Sequence, residues 1–142
     1  MNKLFAILGI MLMVLVISGC TSLPGAQNNS SSANSSGINW NTDLNTAFQQ
    51  AQISNKMVFV DFYADWCHYC NQMDSETYTD VNVQQRIAQS YIAVKINTDD
   101  HPDLSSQYGI YGLPTIIIFD SNGQEIKRIE GYQSSSQLLS QL

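Results

Sequence analysis

The amino-acid sequence predicts an α/β fold built on a central mixed β-sheet flanked by helices. Three observations carry this expectation. Residues 57–63 and 115–119 are nearly unbroken runs of β-formers, the pattern of strands buried on both faces. Stretches with apolar residues at helical spacing alternate with such runs, which implies parallel pairing. Ser121-Asn122-Gly123 separates two strand-like segments and reads as a hairpin turn, which adds an antiparallel edge.

The elements follow in order. Folded structure is expected from Ile38. Trp40, Leu44, Ala47, Phe48 and Ala51 recur at helical spacing, with Thr42 or Asn41 as the cap. The strand at 57–63 comes next. A helix starts at about Cys67 and runs to about Met73 or beyond. Residues 81–89 form another short helix with Asp80 as its cap, and residues 91–96 a second strand. A short helix is expected over 102–108. The third strand spans 115–119, and the returning strand of the hairpin spans 125–129. A last helix over 134–142 carries Leu138, Leu139 and Leu142 on one face.

A chain of 142 residues with 44% hydrophobic content supports one domain rather than two. Its formal net charge is −6 and it shows no basic patch, which argues against nucleic acid as a partner. The acidity favours solubility and says little about function.

The first residues read as an export signal. Lys3 supplies the positive start, residues 4–17 are an uncharged and almost wholly apolar run, and Ser18 and Gly19 are small. This run is shorter than the roughly 20 apolar residues of a membrane span. Ile17-Ser18-Gly19-Cys20 resembles the lipobox of prokaryotic lipoproteins, in which the peptide is cut before the cysteine and the thiol receives a lipid. That resemblance implies a signal peptide at 1–19 and lipidation of Cys20. An ordinary signal peptide and an uncleaved anchor are the other readings. All three place the globular part outside the cytoplasm, in the periplasm or on the outer face of the membrane. Residues 20–37 are rich in Ser, Asn and Gly and read as a flexible tether of about 20–25 Å. Asn28, Asn29 and Asn34 begin Asn-x-Ser triplets, as Asn- and Ser-rich linkers do by chance. The domain is expected over 38–142.

Trp66-Cys67-His68-Tyr69-Cys70 is the chemical centre. A Cys-x-x-Cys pair that follows a strand and opens a helix is far more specific than the spacing alone. Residues three apart share a helix face, so the two sulfurs can meet. The first cysteine lies at the helix N-terminus, where unpaired N–H groups favour its thiolate, the nucleophilic form. Cys67 is therefore expected to attack a substrate disulfide. Cys70, deeper in the helix, is expected to resolve the mixed disulfide. A pair of cysteines with His68 and His101 is a poor ligand supply for zinc, so no metal site is expected. Covalent haem attachment needs His after the second cysteine, where Asn71 stands. Asp99, Asp100 and Asp103 read as a solvated acidic loop.

On these motifs the sequence resembles the thioredoxin-like family. Residues 58–67, Val-Phe-Val-Asp-Phe-Tyr-Ala-Asp-Trp-Cys, look like the strand and active-site approach of thioredoxins, and Gly112-Leu113-Pro114-Thr115 looks like their cis-proline segment. Both strings, with Asp80-Val81-Asn82-Val83, are similar to the C-terminal thioredoxin-like domain of the bacterial transmembrane reductase DsbD. The resemblance covers about residues 38–142 and implies a thioredoxin-like fold. It implies that Asp61 is a buried acid that takes the proton of Cys70. Trp66, Leu113 and Pro114 then hold the substrate strand, with Leu113–Pro114 in the cis form. Lys95 matches a lysine near the buried acid. His68 and Tyr69 replace the Gly-Pro of thioredoxin and tune the redox poise; a cationic His68 would make the pair more oxidising.

The reading that follows is a membrane-tethered thiol–disulfide oxidoreductase that exchanges disulfides with exported proteins, reducing rather than oxidising. It needs no cofactor beyond the Cys67–Cys70 disulfide. It implies a membrane protein as electron donor, attachment through a lipid anchor, and a monomer. The alternatives are a disulfide-donating oxidase and a non-catalytic metal- or client-binding module.

Overall fold

The computed structural model describes residues 37–142. The expected signal peptide, Cys20 and nearly all of the expected tether lie outside the described residues. The elements are β1 (Trp40–Asn41), α1 (Leu44–Ser54), β2 (Met57–Tyr63), α2 (His68–Gln72), a π-helical turn (Met73–Thr77), α3 (Val81–Ser90), β3 (Tyr91–Asn97), α4 (Pro102–Gln107), β4 (Thr115–Phe119), β5 (Glu125–Glu130) and α5 (Ser135–Gln141). The five strands form one sheet in the order β1-β3-β2-β4-β5. The β1–β3 and β2–β3 pairs are parallel, and the β2–β4 and β4–β5 pairs are antiparallel. This is the expected mixed sheet, with helices on both faces.

The strand period of two sorts β2 between two cores. Val58, Val60 and Phe62 pack with Leu44, Ala47, Ala51, Ile117 and Phe119. Phe59 points the other way, toward Met73, Val83, Ile87 and Leu138. Asp61 lies on the Phe59 side by the same alternation, beneath the helical segment that follows the cysteines.

Three details differ from the sequence reading. Trp40 does not belong to the first helix: it opens β1, opposite Ala93 of β3. The cap of α1 is Asp43 rather than Thr42 or Asn41, because the Asp43 carboxylate accepts from the Thr46 N–H at 2.6 Å. The antiparallel half of the sheet is also larger than the hairpin alone, since β4 itself runs against β2. The six residues of α4 explain this. At 1.5 Å per residue the helix rises about 9 Å, too little to carry the chain back along the sheet for a parallel entry. The chain therefore re-enters at the end where β3 finished.

That connectivity gathers the loops at one end of the sheet. The C-terminal ends of β2, β3 and β5 and the N-terminal end of β4 all open there. Cys67, the Asp99–Asp100 turn, Leu113–Pro114 and Tyr132 follow or precede these ends directly.

Candidate active site

Cys67 and Cys70 are joined by a disulfide. Cys67 is the N-cap of α2: its backbone is extended and its Sγ accepts from the Cys70 N–H at 3.1 Å. In the dithiol form the same donor would stabilise a Cys67 thiolate. Cys67 is 5% exposed and Cys70 2% exposed. The pair packs with Ala64, and Leu113 closes over it from the loop before β4. Leu113–Pro114 is a cis peptide bond, and Pro114 is buried.

The aromatic rim is held outward. Trp66 is 72% exposed, yet its indole N–H donates to Asp99 Oδ2 at 2.8 Å, which fixes the ring beside the disulfide. Tyr69 is also exposed and approaches the Tyr132 ring, with centroids 6.3 Å apart. The Tyr132 hydroxyl donates to Glu76 Oε2 at 2.8 Å. His68, the first residue of α2, is exposed and meets the Tyr69 ring edge-on. His101 is the N-cap residue of α4.

Asp61 is 2% exposed. Strand register sets it opposite Lys95, whose Nζ lies 3.7 Å from Asp61 Oδ2. The same ammonium bonds Asp74 Oδ1 from the π-helical turn. Three rings surround the ammonium: Tyr63 at 4.6 Å, Trp40 at 5.4 Å and Tyr78 at 5.7 Å from their centroids. This arrangement is worth more than a surface ion pair, because the cation is desolvated on several sides. Burial pushes the Asp61 carboxyl up to about 7, the Asp74 charge adds to the rise, and Lys95 and the Tyr78 hydroxyl oppose it. A carboxyl poised near neutrality can hold or release a proton at working pH.

The structure thus brings Cys67, Cys70, Trp66, Leu113 and Pro114 to one end of the sheet. It sets Asp61 and Lys95 beneath the helical segment that carries Cys70. Asp74, Tyr78, Tyr63 and Trp40 complete the cluster, with Asp74 at its exposed edge, and none of the four was given a role at the site in the sequence. Only Asp74 left a signal there, standing four residues after Cys70 on a helical stretch. The segment it belongs to is a single π-helical turn, a feature that clusters at functional sites and shifts the helix face. Among the described residues, no group of three or more His, Cys, Asp or Glu side chains could hold a metal ion. Among them also, no helix is long and apolar enough to cross a membrane.

Comparison with known proteins agrees with this geometry. The family described as "Thioredoxin-like domain" matches residues 44–142. A thioredoxin from Alicyclobacillus acidocaldarius is 39% identical over 103 residues, covering 71% of this chain and 90% of that protein. The thiol:disulfide interchange protein DsbD of Yersinia pestis is 37% identical over 97 residues, covering 65% of this chain and 16% of that protein. The chain therefore matches only about a sixth of the length of such DsbD relatives. Among solved structures, the oxidised C-terminal domain of Neisseria meningitidis DsbD superposes with a TM-score of 0.61 at 24% identity, covering 72% of this chain and 96% of that one.

Proposed function

Because the chain belongs to the thioredoxin-like domain family, we propose that its Cys67–Cys70 pair reduces the disulfides of exported proteins from a membrane tether. The observation that carries this reading is the disulfide itself, formed between an N-cap cysteine and the cysteine one turn along. The likeness to DsbD supports the reducing direction.

In this cycle the Cys67 thiolate attacks a client disulfide. One client sulfur leaves as a thiolate and the other is held as a mixed disulfide with Cys67. Cys70 then gives its proton to the Asp61 carboxylate, and its thiolate attacks the Cys67 sulfur. The second client thiolate leaves, and the Cys67–Cys70 disulfide is restored. A membrane dithiol donor returns two electrons to the pair and is itself oxidised to a disulfide; Asp61 gives its proton back to Cys70, and the two protons released by the donor balance those taken from water by the client thiolates. Trp66 and the Leu113–Pro114 backbone hold the client chain across the disulfide, and His68, Tyr69 and Lys95 tune the pair. The protein works as a monomer, outside the cytoplasm. The lipobox-like Ile17-Ser18-Gly19-Cys20 supports a lipid anchor at Cys20.

The reduction potential of the pair tests the direction. Thioredoxin lies at about −270 mV and the oxidant DsbA at about −120 mV. A value near the first supports a reductase, and a value near the second makes the protein a disulfide donor. The Cys70→Ser variant tests exchange itself: it should accumulate client mixed disulfides on Cys67, and a simple binding module would accumulate none. Loss of membrane attachment in Cys20→Ala tests the anchor.

A further inference from the structure

Two buried polar atoms in the site lack a hydrogen-bond partner among the described residues: Oδ1 of Asp61 and the hydroxyl of Tyr78. Both belong to the same cluster. The Tyr78 ring stands beside the Lys95 ammonium that pairs with the other Asp61 oxygen. The ring is fixed by edge contacts with Trp40, at 5.1 Å, and Phe59, at 6.3 Å. Its backbone is held as well, by the Tyr78 N–H to Met73 carbonyl bond at 2.9 Å and by the Gln84 side chain on its carbonyl. The other groups facing Asp61 are already engaged or apolar. Lys95 from β3 is shared with Asp74 of the π-helical turn. The β4 residue opposite Asp61 is Ile116. Cys70, on α2, is held in the disulfide. An unpaired buried carboxylate oxygen is costly, and so is an unpaired buried hydroxyl.

We propose that Tyr78 is the positioning residue of the proton acceptor: its hydroxyl donates to Oδ1 of the Asp61 carboxylate and accepts from the carboxyl once the proton of Cys70 has arrived. A phenol suits both states because its oxygen donates one hydrogen bond and accepts others, so neither charge state of Asp61 is left unpaired. Lysine cannot do this, since an ammonium only donates. The hydroxyl favours the ionised form of the Asp61 carboxyl, the effect expected of a donor on that side. The proton itself moves only from Cys70 to Asp61; Tyr78 keeps its own.

The inference rests on the reading of Asp61 as acceptor, and two separate measurements keep the two ideas apart. The first is the titration of Asp61 by carboxyl ¹³C NMR in the oxidised full chain, which needs no turnover. Tyr78→Phe removes the donor to Asp61 Oδ1 and should raise the Asp61 midpoint by about one pH unit. An unmoved midpoint in a variant with native near-ultraviolet dichroism overturns the proposal. The second is the rate at which Cys70 expels glutathione from a Cys67–glutathione mixed disulfide. Below the shifted midpoint this rate should fall by about tenfold in Tyr78→Phe. A shifted midpoint with an unchanged expulsion rate upholds the Tyr78–Asp61 bond and overturns the acceptor role of Asp61. Should Tyr78→Phe fail to fold, the wild-type Tyr78 ring carbon bearing the hydroxyl supplies the test. Its ¹³C shift should follow the Asp61 midpoint and become pH-independent in Asp61→Asn, and a shift that ignores Asp61 overturns the proposal.

Discussion

The ammonium of Lys95 stands 3.7 Å from the buried carboxylate of Asp61, in direct strand register with it. Among the described residues Lys95 is the one cation within 4 Å of Asp61, and it is shared with Asp74. Removing it leaves the buried Asp61 carboxylate facing the more exposed Asp74 carboxylate with no cation between them. In Lys95→Met the Asp61 carboxyl should therefore rise beyond about 7, because Lys95 is the main influence opposing burial there. The pH at which Cys70 resolves a mixed disulfide should move up with it by about one unit or more. Stopped-flow pH profiles of that step would show this, and a downward move would be incompatible with the ion pair.

Asp74 acts with the opposite sign. Its charge raises the Asp61 carboxyl, so Asp74→Asn should lower the midpoint of the same profile and free Lys95 to pair with Asp61 alone. The two variants are most informative together, because a general loosening of the site would move both profiles in one direction. Equal shifts in Lys95→Met and Asp74→Asn would reject the shared-cation picture.

Stability should depend on pH through the same carboxyl. Asp61 ionises near 3.8 without the fold and at about 7 within it. Between those values the native state binds more protons than the unfolded state, so stability falls as pH rises. The contribution is fully present below pH ~4 and is lost by pH ~7, amounting to at most about 4 kcal/mol. Asp61→Asn removes a charge that must be buried at alkaline pH. It should therefore unfold at higher denaturant than the parent at pH 8, with little difference at pH 4, while resolving mixed disulfides slowly. Parallel unfolding curves for the two proteins across this range would contradict the burial argument.

The cysteine pair, the buried strand and the hairpin were legible because each is local: a spacing, a run of β-formers, an Asn-Gly turn. Asp61 was legible for a related reason, an acid flanked by Val60 and Phe62 in a strand with no exposed side. Lys95 was harder, since its partner lies 34 residues away and only the β2–β3 register joins them. Tyr78 was not legible at all. It follows a π-helical turn that no propensity scale marks, and its value comes from rings and charges contributed by β1, β2 and β3. The misassigned Trp40 belongs to the same class of miss. Its helical spacing to Leu44 and Ala47 is real, but a two-residue pairing with β3 and the contact with Lys95 decide its place.

Tyr111 offers a test of how clients are gripped. It is 99% exposed and stands two residues before the Leu113–Pro114 bond. Its ring lies over Gly109, where a Cβ would come to 3.5 Å of the ring edge. Gly109 has φ +62°, a conformation L side chains rarely adopt, so the turn beneath the ring requires glycine. A large aromatic ring held in water at the reactive end costs solubility and contributes nothing to the core, whereas aromatic anchors dominate the energy of protein contacts. Tyr111→Ala should weaken capture of a protein disulfide by about tenfold in KM, roughly 1.4 kcal/mol, with kcat little altered. Gly109→Ala should strain the turn that carries Tyr111 and so weaken capture in the same direction. Because a small aromatic disulfide such as dithiobis(nitrobenzoate) reaches only the Cys67 sulfur, its reduction separates client grip from thiol chemistry. Equal losses with the small and the protein substrate would assign Tyr111 to the chemistry of the cysteines rather than to the client.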